Sequence, residues 1–572
     1  MLAIGAIVAV TAGALGIGAW GVRWARTTSD LFVASRAITP WWNAAAISGE
    51  YLSAASFLGI AGLTMRSGLA ALWLPVGFTA GYLALLLFVA APLRRFGSYT
   101  IPDFVEGRLG SAGLRLVSAV VLLAIGALYV VPQLRGAGLV LGEVADAPYA
   151  LGIALAAAVV CGSVAFGGMR AVTYVQAFQY WVKIVAISLP ACLLLVHLGG
   201  LPERAALLGR ELPRAPAAGL TVRLPEARTV TFPRATDYRV VAADRVSRPA
   251  RARAGERVRL PAGELRLPAG AAVPVAEGIR AQTGHQWARP AGGGGRGSPL
   301  FIYSLLVATF LGTMGLPHIL VRFYTNATGS AARHTTIRVL GLIGLFYLFP
   351  VVYGLLGRVM VPELYVTGDT DLVVLRLPEA VLDGWLGRSA TALVAAGAFA
   401  AFVSTASGLL VSTAGTVAYD LAPRLRPEPP DGDRVAIRRR RFRTAAVVAI
   451  AIPALLAVAA RGLDITILVS WSFALAASTF CPLLLLGIWW TRLTPRGALA
   501  GMVAGGAVAS AGIVAALIGG GANEESLLSQ PAVVSVPLAF ATMIVVSLRD
   551  QPLPRRQVAA AMRALHVPER SG

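Results

Sequence analysis

Runs of about 20 apolar residues recur along the chain, each long enough to cross the hydrocarbon core of a bilayer. "MLAIGAIVAVTAGALGIGAW" at 1–20 is the first of them, and "AVVSVPLAFATMIVV" at 532–546 belongs to the last. With 572 residues, 56% of them hydrophobic and 14% charged, the chain carries more apolar surface than a soluble core can hide. Backbone groups inside lipid must be paired internally, so only helices and closed barrels span it. A barrel would show alternating segments of about ten residues; the runs here are continuous. The chain is therefore read as an all-α polytopic membrane protein.

Candidate spans lie at about 2–21, 43–64, 70–92, 114–144, 149–167, 176–198, 299–323, 335–361, 384–419, 443–460, 466–490, 498–519 and 531–547, thirteen in all. The net charge of +22 invites a nucleic-acid partner, but most of the Arg lie in loops between apolar runs, the pattern of positive-inside topology. Arg23, Arg26 and Arg36, Arg94 and Arg95, Arg108, Arg170, Arg322, Arg333, "RRRRFR" at 438–443, Arg492, Arg496, Arg555 and Arg556 fall on one side. Glu143, Asp146, Glu363, Asp369, Glu524 and Glu525 fall on the other. This alternation predicts an N-terminus outside and a cytoplasmic C-terminus in a multi-pass cell (plasma or inner) membrane protein. The N-terminal run has no basic start or cleavage site, so it reads as a span and not a signal peptide. Cys161, Cys192 and Cys481 sit in separate apolar runs without metal-ligand spacing.

The expected organisation is 1–198 (an extra helix and a first repeat), 199–298 (an insertion), 299–490 (a second repeat), 491–547 (two further helices) and 548–572 (a tail). The insertion is rich in Pro, Gly and Arg, with 17 Arg against 8 acidic residues. The alternation places it outside the cell, and a loop of that length crosses regardless of its charge. "RTVTFPR" and "RVVAAD" within it alternate as short strands do.

Two spans are interrupted. "ISGEYLSAASFLG" breaks 43–64, and "LGTMGLP" breaks 299–323. They open the two sets of five helices that follow the first span. Matched breaks in two halves point to an inverted-repeat transporter whose site lies near the midplane. Unwound backbone is tolerated there because it lines a cavity, where free carbonyls can hold a cation.

Four stretches, "SRAITPWWNAAAISGEYLSAASFLGIAGL", "FGSYTIPDFVEGRL", "GTMGLPHILVRFYT" and "AAFVSTASGLLVSTAGTVAYDL", resemble the sodium:solute symporter family, and within it the acetate and short-chain monocarboxylate permeases. The resemblance covers nearly all of the membrane portion but not 199–298. It implies a leucine-transporter-type core of two five-helix inverted repeats worked by alternating access. It also implies a shared sodium site, which falls here on the carbonyls of Gly49 and Leu52, or one residue earlier on Ser48 and Tyr51, together with Ala401, Ser404 and Thr405. Oxygen ligands suit such a hard cation; the same hydroxyls could also simply bond carbonyls one turn back. Two departures concern coupling. Tyr174 follows Thr173 where many relatives have Asp, and Glu50 stands where the nearest relatives tend to have Asp. Sodium is the expected coupling ion, with a proton as the alternative.

Ionisable residues inside spans are candidates for function. Glu50 could tune the cation site or carry a proton. Arg135 offers a fork for a carboxylate, or else forms a structural pair with Glu50 or reaches the outer interface. Lys183, the chain's only lysine, reads as snorkelling inward more readily than as a substrate ligand. His318, Thr313 and Met314 at the second break, Ser53 at the first, and Trp471 complete the expected substrate-binding set. The expected function is sodium-driven uptake of an acetate-like monocarboxylate; proton-coupled uptake of the same anion and sodium symport of a neutral solute are the alternatives. No cofactor, nucleic-acid partner or enzymatic activity is expected, since neither paired catalytic carboxylates nor a phosphate-binding "GxxxxGK[ST]" occurs.

Overall fold

The computed structural model describes residues 1–22, 38–201, 209, 211–242, 247–290, 298–425, 434–519 and 527–567. Of the orienting charges, Arg23, Arg26, Arg36, Glu524 and Glu525 lie outside these residues, as does most of the Gly-rich stretch before 298. Among the described residues, ten helices are long and apolar enough to cross a membrane, and eleven if the bent pair Pro299–Gly315 and Pro317–Phe323 counts as one span. The expectation of thirteen counts Tyr149–Ala165 as a span and divides the continuous Ala55–Phe88 into the ends of two spans, 43–64 and 70–92.

Helix starts follow local chemistry. Hydroxyls of Thr100, Ser111, Thr328 and Thr494 accept backbone N–H groups of the first turn at 3.1–3.2 Å, pairing donors that a helix end leaves orphaned. Helix Ala112–Ala145 carries Pro132 in its interior, and Gly329–Met360 carries Pro350. The spans Gly384–Arg424 and Ile465–Trp489 have their most apolar windows wholly buried, whereas only 17% of the Leu2–Gly21 window is buried. The first two form the centre of the bundle, and the N-terminal helix lies against its flank.

The two broken helices differ. Pro40–Tyr51 stops at Leu52, where ψ is 86°, and the chain resumes as a π-helical turn at Ala55–Gly59 and a helix at Ile60–Ser67. The second break is smaller. Ser298–Gly315 remains helical through both glycines, and Leu316 alone adopts an extended conformation before Pro317–Phe323, with a bend of 41°. Gly312 and Gly315 serve close packing: a Cβ would stand 2.5 Å from the Phe473 carbonyl oxygen and 2.6 Å from that of Ala476.

The all-α expectation is corrected by the insertion, whose described residues hold seven strands: β1 (Leu220–Leu224), β2 (Arg228–Thr231), β3 (Thr236–Ala242), β4 (Ser247–Ala252), β5 (Arg257–Leu260), β6 (Gly263–Leu267) and β7 (Val275–Ala276). They form antiparallel sheets in the orders β1-β6-β3-β4 and β5-β2-β7. Val222, Leu224, Val230, Leu265 and Leu267 alternate inward to build a small apolar core, as strand periodicity requires. Trp287 ties this module to the membrane helices: its indole N–H donates to the Met65 carbonyl at 2.9 Å.

Gly49 shows how closely the first break is packed. A Cβ there would lie 2.2 Å from the Gln176 carbonyl oxygen, a backbone atom with no freedom to retreat. Gly49→Ala is expected to lower stability by at least about 1–3 kcal/mol, the range for overpacking, measured as a fall in melting temperature of the purified protein.

Candidate functional site

In an unbroken helix the Ser53 and Ala54 amides would bond the Gly49 and Glu50 carbonyls. The break at Leu52 separates them, and side chains take over. The Ala54 N–H donates to Gln133 Oε1 at 2.8 Å. The Glu50 carbonyl accepts from the Thr405 hydroxyl at 2.5 Å, and the Gly49 carbonyl lies 2.7 Å from the Ser404 hydroxyl. That hydroxyl is also 3.0 Å from the Ala401 carbonyl. The Lys183 ammonium enters the same space: it donates to the Leu52 carbonyl at 2.8 Å and also to the Gly49 carbonyl and Ser404 Oγ. Lys183 therefore does not snorkel inward; it is fully buried against the break.

One turn away lies a buried ion pair. Arg322 Nε donates to Glu50 Oε2 at 2.6 Å, and neither side chain has any solvent exposure. Arg322 also donates to Thr173 Oγ1 at 2.7 Å and to Gln176 Oε1, while Gln176 donates to the Ser404 carbonyl at 2.8 Å. Counting Arg322 among the solvated loop charges is thus corrected, because it is the partner of Glu50. Gly408 makes room for the carboxylate, since a Cβ there would stand 1.8 Å from Glu50 Oε1. Tyr174, the departure next to Thr173, lies outside this network and packs edge-on against Trp20 and Trp42.

Aromatic rings fill the space between the two breaks. Tyr51 packs on Tyr82 with centroids 4.6 Å apart and on Phe78 at 5.7 Å; Phe78 and Tyr129 both pack on Phe473. The Tyr51 hydroxyl is 3.1 Å from Thr313 Oγ1, and Tyr129 faces Ser53. His318 is fully buried with its ring edge-on to Tyr129 at 5.2 Å. Neither of its ring nitrogens has a hydrogen-bond partner among the described residues.

The structure thus brings together Gly49, Leu52, Ala401, Ser404 and Thr405 at the first break, with Glu50 alongside, and places Ser53, Thr313 and His318 around the aromatic rings; Met314 is buried at the second break. Two expected substrate residues stand elsewhere. Arg135 pairs with Asp371 at 3.2 Å, not with Glu50, in a charged cluster with Arg66, Asp464 and Arg228 of the insertion. Burial, with Asp464 nearby, raises the Asp371 carboxyl above its ordinary value there. Trp471 turns away from the breaks, its indole donating to the Ser529 carbonyl at 2.9 Å; Phe473, two residues on, supplies the ring.

The sequence profile of the sodium:solute symporter family matches residues 31–209 and 273–505. The chain belongs to that family. The unmatched interval contains strands β1 to β6. Similar proteins include an uncharacterized symporter, YwcA of Bacillus subtilis (strain 168), 28% identical over 530 residues and covering 90% of this chain and 88% of that one. Another is the uncharacterized symporter H16_A2524 of Cupriavidus necator, 31% identical over 580 residues, with 84% and 81% covered. Among solved structures, a Na+-coupled sialic acid symporter in a substrate-bound outward-open state superposes with a TM-score of 0.66 at 15% identity, covering 96% of this chain and 98% of that one. Mhp1, a nucleobase-cation-symport-1 transporter in a closed conformation, gives 0.51 at 12% identity, with 94% and 99% covered. At these identities the likeness carries the fold alone. That fold is the leucine-transporter type, and the family makes this a multi-pass solute symporter, with support for sodium as its co-substrate.

The family's sodium site can be tested against the residues present. The oxygens converge as a hard cation requires, but an ammonium already engages three of the five, those of Gly49, Leu52 and Ser404. As arranged here, the donor set does not fit a sodium ion in addition.

Removing one member of a buried ion pair leaves the other charge uncompensated. Arg322→Met is expected to destabilise the protein by about 3–5 kcal/mol. The double variant Glu50→Gln/Arg322→Met should lose less than the two single variants summed, by about 0.5–3 kcal/mol. Melting temperatures of the four purified proteins check this.

Proposed function

We propose that the protein takes up a small monocarboxylate, acetate-like in size, by alternating access about the two helix breaks. The observation that carries this reading is His318. A buried imidazole with unpaired nitrogens is costly, and a carboxylate oxygen at the second break would pair it. The surrounding charges agree: Arg322 and Lys183 are cationic against the one carboxylate of Glu50, leaving one positive charge for an anion to balance. The rings of Tyr51, Phe78, Tyr129 and Phe473 suit a short apolar tail. The likeness of the four membrane stretches to monocarboxylate permeases supports the same substrate class.

The Arg alternation supports thirteen spans in the plasma or inner membrane, with the N-terminus and the 199–298 insertion outside and the C-terminus in the cytoplasm. The two repeats then occupy 1–198, with its extra helix, and 299–490, followed by two helices at 491–547 and a cytoplasmic tail. The family supports sodium as the driving ion, worth about 2.3 kcal/mol per charge per 100 mV of potential. Proton-driven uptake of the same anion is a second reading, favoured by the position of the Lys183 ammonium among the sodium ligands.

Labelled acetate should accumulate in proteoliposomes under an inward cation gradient; no uptake under either a sodium or a proton gradient would refute the substrate class. His318→Phe keeps the ring against Tyr129 but removes both nitrogens. It is expected to raise KM for acetate about tenfold or more, in line with losing one hydrogen bond to a charged group at about 1.5–3 kcal/mol, while the melting temperature holds.

A further inference from the structure

We propose that Lys183 is a tethered cation that replaces sodium at the family's shared site, so that this chain binds no sodium ion there. This rests on the transport reading and favours its proton-driven form over the sodium-driven one; it concerns the ion, not the organic substrate.

Three observations converge. Lys183 sits on helix Tyr149–His197, which packs directly against both Pro40–Tyr51 and Gly384–Thr416, the two elements that supply the site's ligands. Its reach is therefore set by packed helices and not by a loop. Its three donor positions also match the three acceptors around it, the carbonyls of Gly49 and Leu52 and the hydroxyl oxygen of Ser404. Carbonyl oxygens only accept, and an ammonium has three N–H groups to give. A neutral methylene chain in that place would leave the carbonyls freed at the break unpaired in a buried setting. The same oxygens are those a sodium ion would need, and two cations cannot share them at hydrogen-bond distance.

The remaining two oxygens keep lone pairs, so the block rests on the three that the ammonium holds. The Thr405 hydroxyl donates to the Glu50 carbonyl, and the Ala401 carbonyl lies within reach of the Ser404 hydroxyl. The Glu50 carboxylate is held by Arg322 at 2.6 Å, so the Lys183 charge is not consumed by that pair. It contributes the single positive charge that a bound sodium would bring, but remains covalently attached through the transport cycle.

Equilibrium binding of radioactive sodium to the purified full-length protein tests this without any organic substrate, with choline replacing sodium at constant ionic strength. The wild type should bind no sodium that depends on Ser404. Lys183→Ala should gain saturable binding, and Lys183→Ala/Ser404→Ala should lose it again. Lys183→Gln serves as a second opening of the site, with a melting curve to show that each variant is folded. Saturable binding by the wild type that Ser404→Ala abolishes would overturn the proposal, as would folded Lys183 variants that bind no sodium. Because acetate is absent, failure of the monocarboxylate reading leaves this result unaffected, and the acetate uptake assay is decided separately.

Discussion

A peptide group without a partner costs several kcal/mol in hydrocarbon, where no water can replace the lost bond. The break at Leu52 exposes several such groups near the centre of the bundle, and the surrounding helices are arranged around pairing them. Gln133 takes the Ala54 amide, Thr405 takes the Glu50 carbonyl, and Ser404 and Lys183 take Gly49 and Leu52. Four helices thereby meet at one turn of unwound backbone. Their close approach accounts for Gly49 and Gly408, where any side chain would collide with Gln176 or Glu50.

The two breaks are matched in position but not in kind. At the first, Leu52 and Ser53 leave the helix and polar side chains gather. At the second, a single extended residue precedes Pro317, and aromatic rings gather with His318 between them. The resulting asymmetry separates a cation-like region from an apolar, anion-compatible one. The Glu50–Arg322 pair joins them, since Glu50 belongs to the first broken helix and Arg322 to the second. Movement of either half against the other has to carry or remake that pair. A second set of charges, Arg135–Asp371 and Arg66–Asp464, lies beside the β module's Arg228 and gives the insertion a direct contact with the membrane helices.

Part of the candidate site is legible in the sequence. Motif likeness pointed to Gly49, Leu52, Ala401, Ser404 and Thr405, and these groups do converge. The oddity of His318 beside Pro317 was visible as well. Arg135 and Trp471 were misplaced because position along a helix does not say which way a side chain turns. Trp471 and Phe473 are two residues apart and face different neighbours. Arg322 looked like a loop charge because it follows a hydrophobic run, and nothing in the local sequence shows that its guanidinium folds back onto Glu50. Lys183 carried a signal, being the only lysine in a chain that otherwise uses arginine, but its partners are 131 to 221 residues away.

The sequence alone determined the membrane class, most of the helical spans, the two interruptions and the family, because these rest on hydropathy, on residues that break helices, and on contiguous motifs. It also marked the insertion by composition and strand-like alternation. Only the tertiary structure decided what fills the unwound turn and which charges pair. Those outcomes depend on helix rotation and on contacts between residues hundreds of positions apart, where a shift of one residue around a helix turns a side chain by about 100°. The distinction matters most for Lys183, whose singularity is visible in the sequence but whose contacts with Gly49, Leu52 and Ser404 are not.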